Sequence, residues 1–218
     1  MKKFDIQKVW PLLKRQVGSL HLPWLENMAS RERDPFKILI SCILSLRTQD
    51  RTTGKASERL FALAETPKKM AMLSVREIEK AIYPVGFYKV KAQRIKDMSR
   101  EISWKYHSKV PDELEELLKL KGVGRKTANL VVTLGYSKPG ICVDTHVHRI
   151  NNRWGLVKTK TPEETEFALR KDLPHKYWKE INGLLVAFGQ GVCRPISPLC
   201  SQCDIEAYCP KVGVGKHR

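Results

Sequence analysis

One stretch near the middle of the chain decides the fold, Leu118-Lys119-Leu120-Lys121-Gly122-Val123-Gly124-Arg125-Lys126-Thr127-Ala128-Asn129. The residues just before it combine an acidic first turn with an apolar stripe, a pattern that predicts a helix. Gly122 and Gly124 flank Val123, so the chain can turn there through conformations that a Cβ atom would bar. The apolar residues that follow predict a second helix ending at Gly135. We therefore expect a helix, a tight turn and a second helix over about residues 113–135.

The turn and the start of the second helix have the features of an anion site. The first N–H groups of a helix lack partners within the helix, and glycines let another molecule approach the backbone closely. This combination suits one phosphate of a nucleic-acid backbone. Lys126 adds an amine at the edge of the site. This amine either takes part in the chemistry or is simply that of one more lysine that contacts phosphate. The expected DNA contacts here are Lys121, Gly122, Val123, Gly124 and Arg125.

The charge balance also points to a polyanionic partner. The 218 residues contain 40 lysines and arginines against 23 acidic residues, which gives a net charge of +17. Such an excess is self-repulsive unless a polyanion offsets it, so nucleic acid is favoured over a merely solvated basic surface. Charge alone does not separate DNA from RNA, but the lack of a predicted aromatic platform strand favours DNA. The basic side chains expected to follow the backbone are Lys89, Lys91, Lys119, Lys121, Arg125 and Arg149.

No segment suggests a membrane or an export signal. No apolar run approaches the roughly 18 residues that cross a bilayer. Met1-Lys2-Lys3-Phe4-Asp5 leads into polar residues rather than an apolar signal core. We expect a cytoplasmic, nucleoid-associated protein with no membrane partner. In a reducing compartment, clustered cysteines indicate a metal site rather than disulfides.

Four of the six cysteines cluster near the C-terminus as Cys193-x6-Cys200-x2-Cys203-x5-Cys209. Four thiolates can hold either zinc or a [4Fe–4S] cluster, and the ligand type does not decide between them. Zinc ribbons usually have two Cys-x2-Cys pairs, whereas this segment has one. Cys42 lies in an apolar run and is interpreted as a small buried residue.

The rest of the chain has helical periodicity, with no strand alternation and no repeat, so we expect an all-α fold. Asp34-Pro35 predicts a helix start, and the apolar run that continues to Leu44 predicts a helix central to a core. A polar cluster, Ser45–Asp50, follows that helix. The segment Gly18–Arg33 is expected to be looser, and Gly86-Phe87-Tyr88 is expected to be a turn between helices.

Three motifs in order resemble the endonuclease III family of base-excision DNA glycosylases. Leu120–Ala128 resembles the family's helix-hairpin-helix, and Val143-Asp144-Thr145-His146 follows at the family's distance. The four C-terminal cysteines match its iron–sulfur spacing. The similarity runs from about Pro35 to Cys209, which is most of the chain. Agreement of three motifs makes the resemblance far more specific than a lone Gly-x-Gly.

The resemblance implies a helix-hairpin-helix glycosylase fold made of two helical lobes. One lobe would comprise residues 28–138, and the other would join residues 1–27 to residues 139–218 and carry the cluster loop. DNA would lie in a cleft between the lobes. The implied cofactor is a [4Fe–4S] cluster with a structural role. Its ligands would be Cys193, Cys200, Cys203 and Cys209.

The resemblance also implies a catalytic pair, Lys126 and Asp144. The amine would attack C1′ of the sugar and form a Schiff base that permits β-elimination, while the carboxylate stabilises positive charge on the sugar. The alternative for Asp144 is a helix N-cap, a role compatible with catalysis. His146 is expected to support the Asp144 loop rather than to bind a metal. Relatives that do not cut the strand carry other residues in place of Lys126, so a bifunctional glycosylase/AP lyase is expected.

Two positions depart from the family pattern. Arg47 stands where the family has a glutamine that fills the gap left by the extruded base, and Phe87 stands where it has an aliphatic residue. We expect both to contact DNA, Arg47 at the orphaned base and Phe87 as a wedge in the base stack. The alternative for Phe87 is a turn whose aromatic residues pack inward.

The expected partner is double-stranded DNA with a damaged base, above all an oxidised pyrimidine, or with an abasic site. The protein is expected to act as a monomer. Since the sequence ends at Arg218, soon after the cysteines, we expect it to differ from the adenine-mismatch relatives, which have an additional C-terminal domain. One alternative is a monofunctional mismatch or damage glycosylase, which would leave the strand intact. Another is a non-catalytic, metal-stabilised DNA-binding module, which would bind abasic DNA without turnover.

Overall fold

The computed structural model describes residues 4–218 and contains only helices, turns and loops in that range. With no β-strand among these residues, the all-α prediction is confirmed. The α-helices are α1 (Ile6–Gly18), α2 (Trp24–Arg31), α3 (Pro35–Ser45), α4 (Asp50–Leu63), α5 (Pro67–Met72), α6 (Val75–Ile82), α7 (Tyr88–Lys105), α8 (Leu114–Lys119), α9 (Arg125–Leu130), α10 (Thr145–Arg153), α11 (Pro162–Asp172) and α12 (Ile181–Gly191). A π-helix, Val131–Gly135, continues α9. Across the described range, no helix combines the length and the apolar character needed to span a membrane.

The chain divides into two compact units. Trp24–Gly140 forms one unit, and Met1–Pro23 together with Ile141–Arg218 forms the other, of which residues 1–3 lie outside the described part. The lobes expected from the sequence have nearly the same bounds. Their arrangement around DNA stays a prediction.

Helix α3 is the centre of the Trp24–Gly140 unit. Every residue from Ile38 to Leu44 is buried, and α2, α4, α7 and α9 pack around the helix. The predicted start at Asp34-Pro35 is confirmed, since Asp34 Oδ1 accepts the N–H groups of Phe36 at 2.8 Å and Lys37 at 3.1 Å. A helix that is apolar all round has no face for solvent, so it has to be enclosed.

The expectation of a loose segment over residues 18–33 is wrong in part, because α2 forms within it. The N–H of Trp24 donates to Asp50 Oδ2 at 2.6 Å, which satisfies a donor at the start of α2. The Trp24 ring lies so close to Gly54 that a Cβ there would be 2.7 Å from it. Both partners come from α4, so no local pattern marks this helix.

The second unit has its own core, to which α1, α10 and α12 contribute. Trp154 at the end of α10 is 1 % exposed, and its ring stacks on Phe4 with centroids 4.9 Å apart. Phe188 of α12 packs on the same ring at 6.3 Å. This aromatic cluster fixes α10 relative to α12.

Replacing Asp34 with alanine tests the start of α3. Alanine cannot accept the two backbone N–H bonds, so we expect the free energy of unfolding to fall by about 1 kcal/mol. Asp34→Ser keeps an acceptor and should retain most of the stability. Urea unfolding followed by circular dichroism measures both variants. Unchanged stability in Asp34→Ala would contradict the importance of this cap.

Candidate functional site

The helix-hairpin-helix consists of α8, a turn and α9, all within the Trp24–Gly140 unit. Gly122 has φ +89°, and a Cβ at this position would lie 2.5 Å from the Arg94 side chain. The positive φ is the reason that the turn requires glycine here, since the flexible end of the Arg94 side chain can move away from a Cβ. Val123 is buried and anchors the turn in the core.

Gly124 has a different role from the one expected. Its backbone is extended, with φ −98° and ψ 174°, so the expectation that both glycines permit unusual turn conformations is wrong for Gly124. Gly124 is instead the N-cap residue of α9, and nothing lies within 4 Å of where its Cβ would be. The open space lets another molecule approach the first N–H groups of α9.

Lys126 is the second residue of α9, and its side chain is exposed. The residues that follow, Thr127–Leu130, are all buried, so the helix is anchored while the amine of Lys126 stays outside. Arg125 is half-buried beside it, and Lys121 is exposed on the turn. The structure thus places the hairpin residues expected to contact DNA beside the candidate nucleophile.

Asp144 is the N-cap of α10 in the second unit. Its Oδ1 accepts the N–H groups of His146 and Val147, both at 2.9 Å, so the predicted cap is confirmed. Both bonds use Oδ1, which leaves Oδ2 outside the cap. The ring of His146 packs closely against Gly189 of α12, and this contact holds the first turn of α10 in place.

Arg47 and Phe87 lie together on the Trp24–Gly140 unit. Arg47 follows α3 and Phe87 precedes α7, and the guanidinium carbon of Arg47 is 5.6 Å from the centre of the Phe87 ring. This distance is typical of a cation–π contact. Phe87 is 62 % exposed, so the alternative of inward packing is wrong for this residue. An exposed aromatic ring beside an exposed guanidinium forms a compact surface feature.

Lys91 is not the exposed phosphate contact that the sequence suggested. It is buried, and its ammonium group donates to backbone carbonyls at the end of α3. Burial, and to a lesser degree the charge of Arg94, lower the pKa of Lys91 to about 8. The sequence did contain a signal of this burial, because the spacing of Lys91, Ile95 and Met98 places them on one face of α7.

Arg149 is also turned inward rather than toward a phosphate. Its Nη2 donates to the carbonyls of Gly189 and Cys193, at 3.3 and 2.9 Å. One helical turn later, Arg153 donates to Cys193 Sγ at 3.3 Å and to the Arg194 carbonyl at 2.7 Å. The sequence analysis did not identify Arg153. Two arginines of α10 thus hold the loop that begins with the first cysteine of the cluster.

The four C-terminal cysteines line one cavity in the second unit, whose walls include Trp154, Phe188 and Leu199. Burial raises the pKa of the Cys203 thiol to about 12 and also raises those of Cys200 and Cys209. These thiols are therefore protonated until a metal displaces the proton. Cys42 is buried in α3 as expected.

Comparison with known proteins agrees with the motifs. The family model of the HhH-GPD superfamily base excision DNA repair proteins matches residues 40–175. An endonuclease III of Thermotoga maritima is 52 % identical over 179 residues, which cover 82 % of this chain and 84 % of that protein. The chain belongs to the endonuclease III family. The resemblance drawn from the three motifs is confirmed.

Other members of the endonuclease III family match over most of the chain. The chloroplastic endonuclease III homolog 2 of Arabidopsis thaliana is 40 % identical over 214 residues, covering 94 % of this chain and 55 % of that protein. A solved endonuclease III, trapped as a covalent intermediate with DNA in an estranged-adenine complex, superposes with a TM-score of 0.85. It is 32 % identical and covers 97 % of each chain. As a member of this family, the protein is a base-excision DNA glycosylase with AP lyase activity.

Substitutions of Asp144 can separate the cap from the charge. Asparagine caps a helix as well as aspartate does, so Asp144→Asn should unfold at nearly the same denaturant concentration as the parent protein. Asp144→Ala should lose about 1 kcal/mol of stability. Without the carboxylate, both variants should release a damaged base from duplex DNA about 100-fold or more slowly. Full activity in Asp144→Asn would show that only the cap matters.

Proposed function

We propose that this protein removes oxidised pyrimidines from double-stranded DNA and then cuts the strand by β-elimination through a Schiff base on Lys126. The observation that carries the proposal is the exposed amine of Lys126 at the anchored start of α9, two residues after the open Gly124. A nucleophile that must reach a sugar needs both features, an accessible amine and a backbone that is held in place. The proposal includes that the protein acts as a monomer, since one damaged nucleotide needs one active site.

Lys126 carries the chemistry both of base release and of strand cleavage. Its neutral amine forms a bond to C1′ of the sugar while the N-glycosidic bond breaks, and the base leaves with the electron pair and takes up a proton. Opening of the sugar ring gives the Schiff base. This makes the 2′ proton acidic, and its removal expels the 3′ phosphate with the electron pair of the C3′–O bond. Water then hydrolyses the Schiff base and restores the amine.

Asp144 stabilises the positive charge that develops on the sugar as the base leaves. The capping bonds of its Oδ1 orient the carboxylate, so that Oδ2 has a defined position before DNA binds. The hairpin holds the strand by one phosphate. The groups proposed to contact it are Lys121, Gly122, Val123, Gly124 and Arg125.

Arg47 and Phe87 fill the space that the extruded nucleotide leaves in the duplex. The support is their shared surface position, with a planar cation beside an exposed aromatic ring. Both groups stack on bases, and the guanidinium also donates hydrogen bonds to the orphaned partner base. Extrusion costs a few kcal/mol and costs least at damaged pairs, which contributes to selectivity without base-specific contacts.

The cavity of the four cysteines fits a [4Fe–4S] cluster better than a zinc ion. Among residues 4–218, no three His, Cys, Asp or Glu side chains converge as ligands of one metal ion. Zinc would need four sulfur atoms about 2.3 Å from one centre. In an iron–sulfur cluster each cysteine binds a different iron, so separated thiols around a cavity are suitable. Arg153, beside Cys193, would offset part of the thiolate charge.

The ligands we propose for the cluster are Cys193, Cys200, Cys203 and Cys209. When bound, the cluster would supply the fixed points that this segment lacks, since it has few apolar anchors. Free thiols and such a cluster both suit a reducing compartment, so we place the activity in the cytoplasm, at the nucleoid.

Borohydride trapping on a duplex with one abasic site tests the proposed function. The parent protein should form a covalent adduct, and Lys126→Ala should form none, because only a Schiff base is reduced to a stable bond. Lys121→Ala is the matched control, since it removes another exposed amine of the hairpin and should weaken binding while still allowing trapping. A set of duplexes that each carry a different damaged base then identifies the base that is released.

Three results would contradict the proposal. A Lys126→Ala protein that is still trapped would assign the nucleophile to another amine. A parent protein that releases bases but is never trapped would be a monofunctional glycosylase, and one that binds abasic DNA without turnover would be a binding module.

The cluster assignment is tested by substituting single cysteines. The purified parent protein should contain about four iron atoms per chain and absorb visible light. Cys203→Ser should lose iron and unfold at a lower temperature, whereas Cys142→Ser, a buried cysteine of the same unit outside the cavity, should retain its iron. Zinc as the main metal of the parent protein would contradict the assignment.

A further inference from the structure

The ammonium group of Lys91 is surrounded by oxygen atoms of residues 44–48, a segment called the Arg47 loop below. Its Nζ donates to the Leu44 carbonyl at 2.8 Å, to the Leu46 carbonyl at 2.5 Å and to Thr48 Oγ1 at 3.2 Å. Lys91 is 4 % exposed, so these bonds replace the water that the charge would otherwise hold. Three hydrogen bonds from one buried cation hold the chain on both sides of Arg47.

The same residues connect the Arg47 loop to the turn that carries Phe87. Thr48 Oγ1 accepts the N–H of Gly86 at 3.2 Å, and a Cβ on Gly86 would lie 2.6 Å from the Arg47 carbonyl oxygen. The backbone N–H of Lys91 donates to the Phe87 carbonyl at 3.0 Å. Lys91 therefore contacts the Arg47 loop through its side chain and the turn that carries Phe87 through its main chain.

Both exposed side chains start from an unfavourable backbone conformation. Arg47 has φ +53° and Phe87 has φ +57°, in the left-handed region that side chains with a Cβ rarely adopt. Each such residue costs about 1–3 kcal/mol and persists only where the surroundings impose it. The contacts around Lys91 are the surroundings that these two residues share.

We propose that Lys91 is a positioning residue that holds Arg47 and Phe87 as a single preformed wedge for the DNA duplex. The inference rests on the proposed function, in which these two side chains fill the space of the extruded nucleotide. Because the left-handed conformations are imposed when the protein folds, DNA binding does not have to impose them. Loss of the Lys91 ammonium would let both segments relax, and the guanidinium and the ring would separate.

A wedge matters only where there is a base stack to enter. The diagnostic quantity is therefore the rate of borohydride trapping on an abasic duplex divided by the rate on the same abasic strand without its complement. Arg47→Ala and Phe87→Ala should each lower this ratio, since the chemistry at Lys126 is the same on both substrates. Lys91→Met should lower it about tenfold, with little change on the single strand.

Lys96→Met is the matched control for this measurement. Lys96 lies on the same helix, and its Nζ donates at 2.8 Å to the carbonyl of Leu73, in a loop away from the wedge. This variant loses a comparable bond and should keep the parent ratio. Lys91→Arg retains the cation and should recover part of the ratio. If Lys91→Met does not fold, Thr48→Val removes the shared hydroxyl and should lower the ratio in the same direction.

The outcomes distinguish the inference from the proposed function. Suppose that Arg47→Ala and Phe87→Ala lower the ratio. An unchanged ratio in folded Lys91→Met then overturns the positioning role. If Lys91→Met does not fold, an unchanged ratio in Thr48→Val overturns it. Equal loss of rate on both substrates also overturns it, since that result indicates general destabilisation. If neither Arg47→Ala nor Phe87→Ala changes the ratio, the wedge itself is wrong, and the role of Lys91 fails with it.

Discussion

Enclosure of α3 is the constraint on which the Trp24–Gly140 unit depends. A helix buried on every side cannot carry functional groups along its length, so these groups lie where the helix ends or on the helices around it. Arg47 follows its C-terminus, and Lys126 stands on α9, whose later residues, Thr127–Leu130, are buried in the same unit. The carbonyls at the end of α3 still need partners, and the buried ammonium of Lys91 is the partner of the Leu44 carbonyl and of the Leu46 carbonyl that follows.

Local sequence patterns were sufficient wherever a structure is decided within one turn of chain. The caps at Asp34 and Asp144 use N–H groups two and three residues away, and the spacing alone indicates them. The conformation of Gly122 follows from the same kind of local requirement. For Gly124 the pattern was misleading, because a glycine that leaves space and a glycine that permits a turn look the same in a sequence.

Contacts between distant segments could not be predicted in this way. The N-terminal donor of α2 finds its acceptor in Asp50, 26 residues later, so the helix has no capping signal of its own. Lys91 looked like a solvated cation because lysine is rarely buried, although its place on the apolar face of α7 was visible. The contact of Arg47 with Phe87 depends on where two loops meet, and only the folded chain brings them together.

The candidate functional residues share a physical setting, the end of a helix. Backbone N–H and C=O groups at these ends lack partners within the helix, so they bind side chains or ligands strongly. Asp144 meets this need with one carboxylate oxygen and is oriented by doing so, which leaves the other oxygen in a defined position. At the start of α9 the open Gly124 leaves the same kind of groups accessible to a phosphate. In the function that we propose, the capped Asp144 presents its carboxylate to the sugar, and the exposed start of α9 binds the strand through the same kind of backbone groups.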